Sequence, residues 1–366
     1  MGLLDYYKQF EAVPEEEINR ELREQAAERK ARELMKIEEL DLSQTIWPEP
    51  PHSDVVGAVT FVARRGLNRY PRSSELVSEL AHRNNVDESR IAIGNGASEL
   101  LIAATAALMR PGQTLISPWP SYPLFPVMAR RAHGEAVPVA GGDVDALLEA
   151  VGQHDTRVIA LASPNDPTGE LLAPAELERL LASLPESVAV LLDESLIEYA
   201  GEEASESAVQ LLADYPRLLV FRSFSKAWGL AGMRCGYVIC GEGAEELLPA
   251  LAPEHGLSEL SQGAALESLR NGERRLARQV ATIAAQRERL TKALRERDFE
   301  VAESSANFVW AAHSSVAGGD LAVRLRSSGV LVAPGVPLGE PRHVRITIRD
   351  AAATDRLLNA IDSALS

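Results

Sequence analysis

Cysteine is nearly absent from this 366-residue chain; the two that occur are Cys235 and Cys240. Two thiols cannot build a disulfide framework or, alone, a zinc site, so no metal is expected. A reducing cytoplasm is the setting they predict. Positive charge is also short, with 37 Lys and Arg against 53 Asp and Glu and a net charge of −16. That excess of acid argues against nucleic acid or an anionic membrane as a partner, but says nothing about a small anion held at a local site. No apolar run approaches the length of a membrane span. The segment from Met1 to Tyr7 lacks the apolar core of a secretory signal. Tyr6 stands where myristoylation after Gly2 needs Ser or Thr. Repeats and low-complexity tracts are absent. What is present is 46% hydrophobic residues, enough for a globular chain with a large core and about two domains.

The most informative stretch runs from Phe221 to Tyr237. The apolar run Leu218 to Phe221 reads as a buried strand. It is followed by two hydroxyls, Ser223 and Ser225, then Lys226, small residues, and Arg234. Hydroxyls and a guanidinium close together suit a phosphate, the first as neutral donors and the second as a charge-assisted fork. A lysine beside such a site has a reason to lose its proton and act as a nucleophile. Upstream, Ile91 to Ile102 reads as a short strand, a glycine turn and a helix start. Gly96 lets the backbone approach an anion, and Ala97 and Ser98 open a helix whose free N–H groups point at it.

The set Ser223-Phe-Ser-Lys226-Ala with Gly232-Met-Arg234-Cys-Gly236 resembles the lysine motif of fold-type I enzymes that use pyridoxal 5'-phosphate (PLP). It is most similar to the class I/II aminotransferases around histidinol-phosphate aminotransferase. The resemblance implies that Lys226 forms an imine with PLP and that Ser223, Ser225, Arg234, Gly96, Ala97 and Ser98 hold its phosphate. Tyr122, in Pro118-Trp-Pro-Ser-Tyr122-Pro, resembles the aromatic residue that stacks on the pyridine ring. Asp193, at the end of the apolar run from Val188, would pair with the pyridine nitrogen and keep it protonated. Tyr70, in Arg69-Tyr-Pro71, would reach the cofactor phosphate of a neighbouring subunit, which implies a homodimer. Arg345, in Val344-Arg-Ile-Thr347, would grip the substrate α-carboxylate in a bidentate fork.

Three positions depart from the family pattern. Asn165-Asp166-Pro-Thr-Gly169 resembles Asn-Pro-Thr-Gly, but Asp166 holds the place of the asparagine that donates to the cofactor's phenolic oxygen. An ionised aspartate cannot donate; Asp166 accepts a bond, is protonated, or leaves the task to Asn165. Leu196 stands where many relatives carry a tyrosine. Thr45-Ile-Trp47-Pro48 replaces the Asn-Glu-Asn-Pro of the histidinol-phosphate group near the substrate.

Elsewhere, 14–38 predicts a charged helix, and the proline-rich passage 40–52 an extended, irregular one. A long helix is expected over 273–297, then strands around 299–301, 305–310, 329–335 and 343–349 and a closing helix. The expected architecture is α/β, a PLP-transferase of fold type I. It has an N-terminal arm (1–50), a large PLP domain with a mostly parallel sheet (51–250) and a smaller α+β domain (251–366, with part of the N-terminal segment). The expected activity is transfer of an amino group between an L-amino acid and a 2-oxo acid. An amino-acid decarboxylase resembling threonine-phosphate decarboxylase is the alternative, since that group also lacks the tyrosine at position 196. A PLP-binding regulator is a third reading, disfavoured by the acidic charge and the lack of a DNA-binding domain.

Overall fold

Continuous apolar runs ending in polar residues predict strands covered on both faces. The computed structural model describes residues 39–366 apart from 73, 253 and 254, so the helix expected over 14–38 lies outside the described residues. In chain order the strands are β1 (Leu40–Leu42), β2 (Ile91–Gly94), β3 (Thr114–Trp119), β4 (Glu135–Ala140), β5 (Thr156–Ala162), β6 (Ala189–Asp193), β7 (Leu218–Ser223), β8 (Gly236–Cys240), β9 (Phe299–Val301), β10 (Phe308–His313), β11 (Val330–Pro334) and β12 (His343–Thr347). They divide between two units. One comprises Ile46–Ala284 with Glu303–Ala306; the other comprises 39–45 with Ala285–Ala302 and Asn307–Ser366.

The first unit holds a seven-stranded sheet in the order β2-β8-β7-β6-β5-β3-β4. Strands β4, β3, β5, β6 and β7 run parallel, and β8 is antiparallel to both β7 and β2. Helices Val144–Gln153, Pro174–Ser183 and Glu202–Leu211 return the chain between successive parallel strands, as parallel pairing requires. Alternate side chains feed two cores. Ile159, Val190, Val220 and Leu192 join one cluster, while Val158, Leu191, Leu219 and Phe221 join the other. Phe221 is fully buried, a burial that stabilises by about 1.5–3 kcal/mol. In register, Ala162 pairs with Asp193 and Asp193 with Phe221. The polar residues at and just beyond the carboxyl ends of β5, β6 and β7 therefore arrive side by side, where open α/β sheets bind ligands.

The second unit carries a five-stranded sheet, β1-β11-β12-β10-β9, with helices Gly318–Ser327 and Ala351–Leu365. The passage 40–52, expected to be irregular throughout, begins instead as a strand. Leu40 and Leu42 are buried, Asp41 is exposed, and Leu40–Leu42 pairs in parallel with Val330–Val332. Three residues of alternation are too few to mark a strand without their distant partner. The helix expected over 273–297 runs Glu273–Arg295 and contains the point where the chain passes from one unit to the other.

Candidate active site

At the carboxyl ends of β5, β6 and β7 lies a cavity of about 180 Å³. Lys226, Asp193, Asp166, Tyr122, Arg234 and Leu196 all line it, and so do Ala97, Ser98, Ser223 and Ser225. Residues scattered from 97 to 234 thus meet on one wall because the parallel strands deliver them to the same sheet edge.

Asp193 is the last residue of β6 and is 7% exposed. Burial pushes its carboxyl group above the usual range, while hydrogen bonds from Ser195 and the charge of Lys226 hold it down and Asp166 pushes it up again. The Ser195 backbone N–H donates to Asp193 Oδ1 at 2.9 Å. Tyr122 packs edge-on against Phe125, with ring centroids 5.7 Å apart. Its hydroxyl lies 3.1 Å from Ser98 Oγ. Burial raises the Tyr122 phenol, and Asp193 adds to that rise, so the ring stays neutral at physiological pH.

The glycine turn is tightly packed against Arg234. Gly96 caps the helix Ala97–Leu108 with φ 87°, a conformation that favours glycine. A Cβ there would lie 2.7 Å from Arg234 Nη2, and one at Gly236 would lie 2.5 Å from the Ala97 nitrogen. Arg234 is itself in the left-handed region, at φ 49°. From there Nη1 donates to Ser225 Oγ at 3.3 Å, and the Ser225 N–H donates to Ser223 Oγ at 3.1 Å. A close-packed backbone, a helix N-terminus, two hydroxyls and a guanidinium form a donor set suited to a phosphate. Together with a buried acid and a lysine on the same cavity, these residues fit PLP.

Other expected residues stand elsewhere. Asp166 lines the cavity and Asn165 does not. The Asn165 amide donates to the Pro120 carbonyl (3.1 Å) and to Thr168 Oγ1 (2.9 Å), and its oxygen accepts from Ser121 Oγ (2.6 Å). Its hydrogen bonds therefore hold the loop after β5, leaving Asp166 to face the cavity. Tyr70 is 79% exposed, stacks on His255 and does not line the cavity of its own chain. Arg345 belongs to the second unit. It sits on β12, an interior strand between β11 and β10, where Nη2 donates to the Ser43 carbonyl at 3.0 Å and the guanidinium lies 5.5 Å from the Phe308 ring centre.

Two features had no signal in the sequence. Ser195 fixes Asp193 through both its side chain and its backbone N–H, from a position that no motif marked. Behind the cavity, Arg222 donates to Glu194 Oε2 from Nε at 2.9 Å and from Nη2 at 2.8 Å. Burial alone would lower the Arg222 guanidinium, but Glu194 and Tyr237 more than offset it, and the group is held firmly charged.

The model for the family "Aminotransferase class I and II" matches residues 40–361. The chain is 35% identical over 323 residues to an aromatic amino acid aminotransferase of Streptomyces avermitilis, covering 86% of this chain and 88% of that one. It is 32% identical over 324 residues to histidinol-phosphate aminotransferase 1 of Cupriavidus pinatubonensis, covering 86% and 85%. Among solved structures, histidinol-phosphate aminotransferase from Sinorhizobium meliloti in complex with PLP superimposes with a TM-score of 0.81 at 26% identity, covering 89% of this chain and 90% of that one. These relatives are named for amino transfer, which favours transamination over the decarboxylation that Leu196 also allowed. With a lysine, a buried aspartate and a donor-rich glycine turn at one edge of its parallel sheet, and the family model matching residues 40–361, the chain belongs to the class I and II aminotransferases.

Proposed function

We propose that Lys226 is the residue that links PLP covalently and then shuttles the proton of the transamination catalysed here. The observation that carries this reading is the convergence of Lys226, Asp193 and the Gly96–Arg234 cradle on one cavity. Bound PLP supplies a ring that withdraws electrons from the substrate α-carbon. Asp193 holds the proton of the ring nitrogen, and its burial makes that pairing strong. Ser223, Ser225, Arg234 and the N-terminus of helix Ala97–Leu108 hold the phosphate, and Tyr122 stacks on the ring. Lys226 Nζ would take the proton from the substrate Cα and later give it back, acting as base and then acid. Arg345 holds the α-carboxylate.

The substrates are an L-amino acid and a 2-oxo acid. The names of the relatives make aromatic amino acids the first donors to test. We place the enzyme in a reducing cytoplasm, on its two buried free thiols. We read it as a homodimer in which Tyr70 serves the partner's site. Exposed Val56, Phe61, Leu67 and Tyr70 support this reading, since they supply the apolar surface a second copy would cover. The test is covalent labelling. Reconstituted with PLP, the protein is expected to be yellow and to be fixed by borohydride at Lys226. Lys226→Ala should bind PLP only non-covalently. Labelling that persists in this variant would show that another lysine carries the cofactor.

A further inference from the structure

Lys226 sits at the start of a tight turn: its carbonyl accepts from the Gly229 N–H at 3.0 Å, and the Leu230 N–H closes back on the Phe224 carbonyl at 2.9 Å. Two side chains from elsewhere hold this turn from outside. With its amide oriented to satisfy both ends, Gln279 donates to the Ala227 carbonyl at 3.0 Å and accepts from the Trp47 indole at 2.9 Å. The Trp228 indole N–H donates to Glu198 Oε1 at 3.0 Å. Glu198 lies on the turn Ile197–Ala200, five residues beyond Asp193 in the segment that leaves β6. One carboxyl group therefore joins the segment after Asp193 to the turn after Lys226.

The bond is half-buried. Glu198 as a residue keeps some exposure, but its Oε2 is shielded from solvent and has no hydrogen-bond partner among the described residues. Trp228 is also wedged against Phe224, with ring centroids 5.8 Å apart. Burial pushes the Glu198 carboxyl up to about 7, against the pull of its own backbone N–H, Arg222 and Trp228 and with a further push from Glu194. Tyr237 on β8 also faces this charge. A buried polar group with so few partners is costly to leave unbonded, so the indole bond is held tightly.

We propose that Glu198 is a positioning residue for Lys226, acting through the indole N–H of Trp228 to fix the turn that carries the lysine. The proposal rests on the reading of Lys226 as the cofactor lysine. Reactive groups must be held to within a fraction of an ångström, and their supporting contacts decide whether they are.

The experiment measures the rate at which PLP leaves the reconstituted protein, followed by the loss of its visible absorbance in the presence of a trap. Trp228→Phe keeps an aromatic ring against Phe224 and removes the donor with part of the ring volume; Glu198→Ala removes the acceptor. Each is expected to speed release by at least about threefold, the part of a buried hydrogen bond transmitted to the lysine. The double variant should release PLP no faster than the faster single one, because both remove the same bond. Glu198→Gln keeps an acceptor oxygen and should stay within threefold of the wild type. Release changed by less than threefold in Trp228→Phe, or effects that multiply in the double variant, would overturn the proposal. If Glu198→Ala does not fold, Trp228→Phe and Glu198→Gln decide the matter alone. Borohydride labelling that survives in Lys226→Ala sinks the lysine assignment, whereas unchanged release in Trp228→Phe sinks only the Glu198–Trp228 link.

Discussion

Glu194→Gln removes one charge from an ion pair whose side chains are 2% and 7% exposed, while keeping the shape of the residue. Glu194 follows Asp193, so the pair sits directly behind the proposed ring-nitrogen contact. Removing one member of a buried pair leaves the other as an uncompensated charge, at a cost of about 3–5 kcal/mol. Arg222 keeps other partners: Nη1 donates to Asn84 Oδ1 at 3.1 Å, and Nη2 also donates to the Ser205 carbonyl. The amide oxygen of glutamine can still accept. Both facts place the expected loss at the lower end, about 3 kcal/mol. For a unit of this size that corresponds to a fall in Tm of roughly 6–12 °C. Urea unfolding of the protein without added PLP, followed by circular dichroism, measures it without the stabilisation that a bound cofactor adds. The companion variant Glu194→Leu/Arg222→Met removes both charges and should recover most of the loss, because a well-packed apolar pair avoids the desolvation cost. A loss below about 1 kcal/mol in Glu194→Gln would show that the pair is not desolvated as the packing indicates. A double variant no more stable than Glu194→Gln would refute the pairing argument.

Other outcomes follow from residues in and around the cavity. The Glu198 carboxyl is raised from 4.5 to about 7 by burial, so its contribution to stability is fully present below pH 4.5 and is lost as pH rises through 7, amounting to up to about 3 kcal/mol. Glu198→Gln should flatten the stability profile between pH 5 and 8 in urea titrations; an unchanged slope would contradict the burial of this carboxyl. Gly96→Ala places a methyl group 2.7 Å from Arg234 Nη2 at a φ of 87°. It should weaken PLP binding by tenfold or more in equilibrium titration, with wild-type affinity the contrary result. Asp166→Asn removes a charge that pushes Asp193 up. The Asp193 carboxyl should then titrate at lower pH, moving the acid limb of PLP affinity downward; an upward move would reverse the sign of the coupling.

Legibility in the sequence followed distance along the chain. This corner of the cavity was readable because its parts are local: Gly96, Ala97 and Ser98 are consecutive, and Ser223 to Arg234 lie on one strand and its following turn. The buried strands were readable because each is a continuous apolar run closed by a polar residue, as at Leu218 and at Val188. What escaped depended on partners far away in sequence. Strand β1 exists through pairing with Val330–Val332, and the Arg222–Glu194 pair through the register that sets β7 beside β6. Asn165 and Asp166 show the limit most sharply. Adjacent residues after a strand face opposite ways, and composition cannot say which one turns inward. Three hydrogen bonds to Pro120, Thr168 and Ser121 settle it by turning Asn165 into the loop. Each would cost free energy to break in a buried setting, so Asn165 stays in the loop and Asp166 faces the cavity. The carboxylate at this edge of the site is therefore a consequence of loop packing, and a change at Ser121 or Thr168 should alter which side chain meets the cofactor.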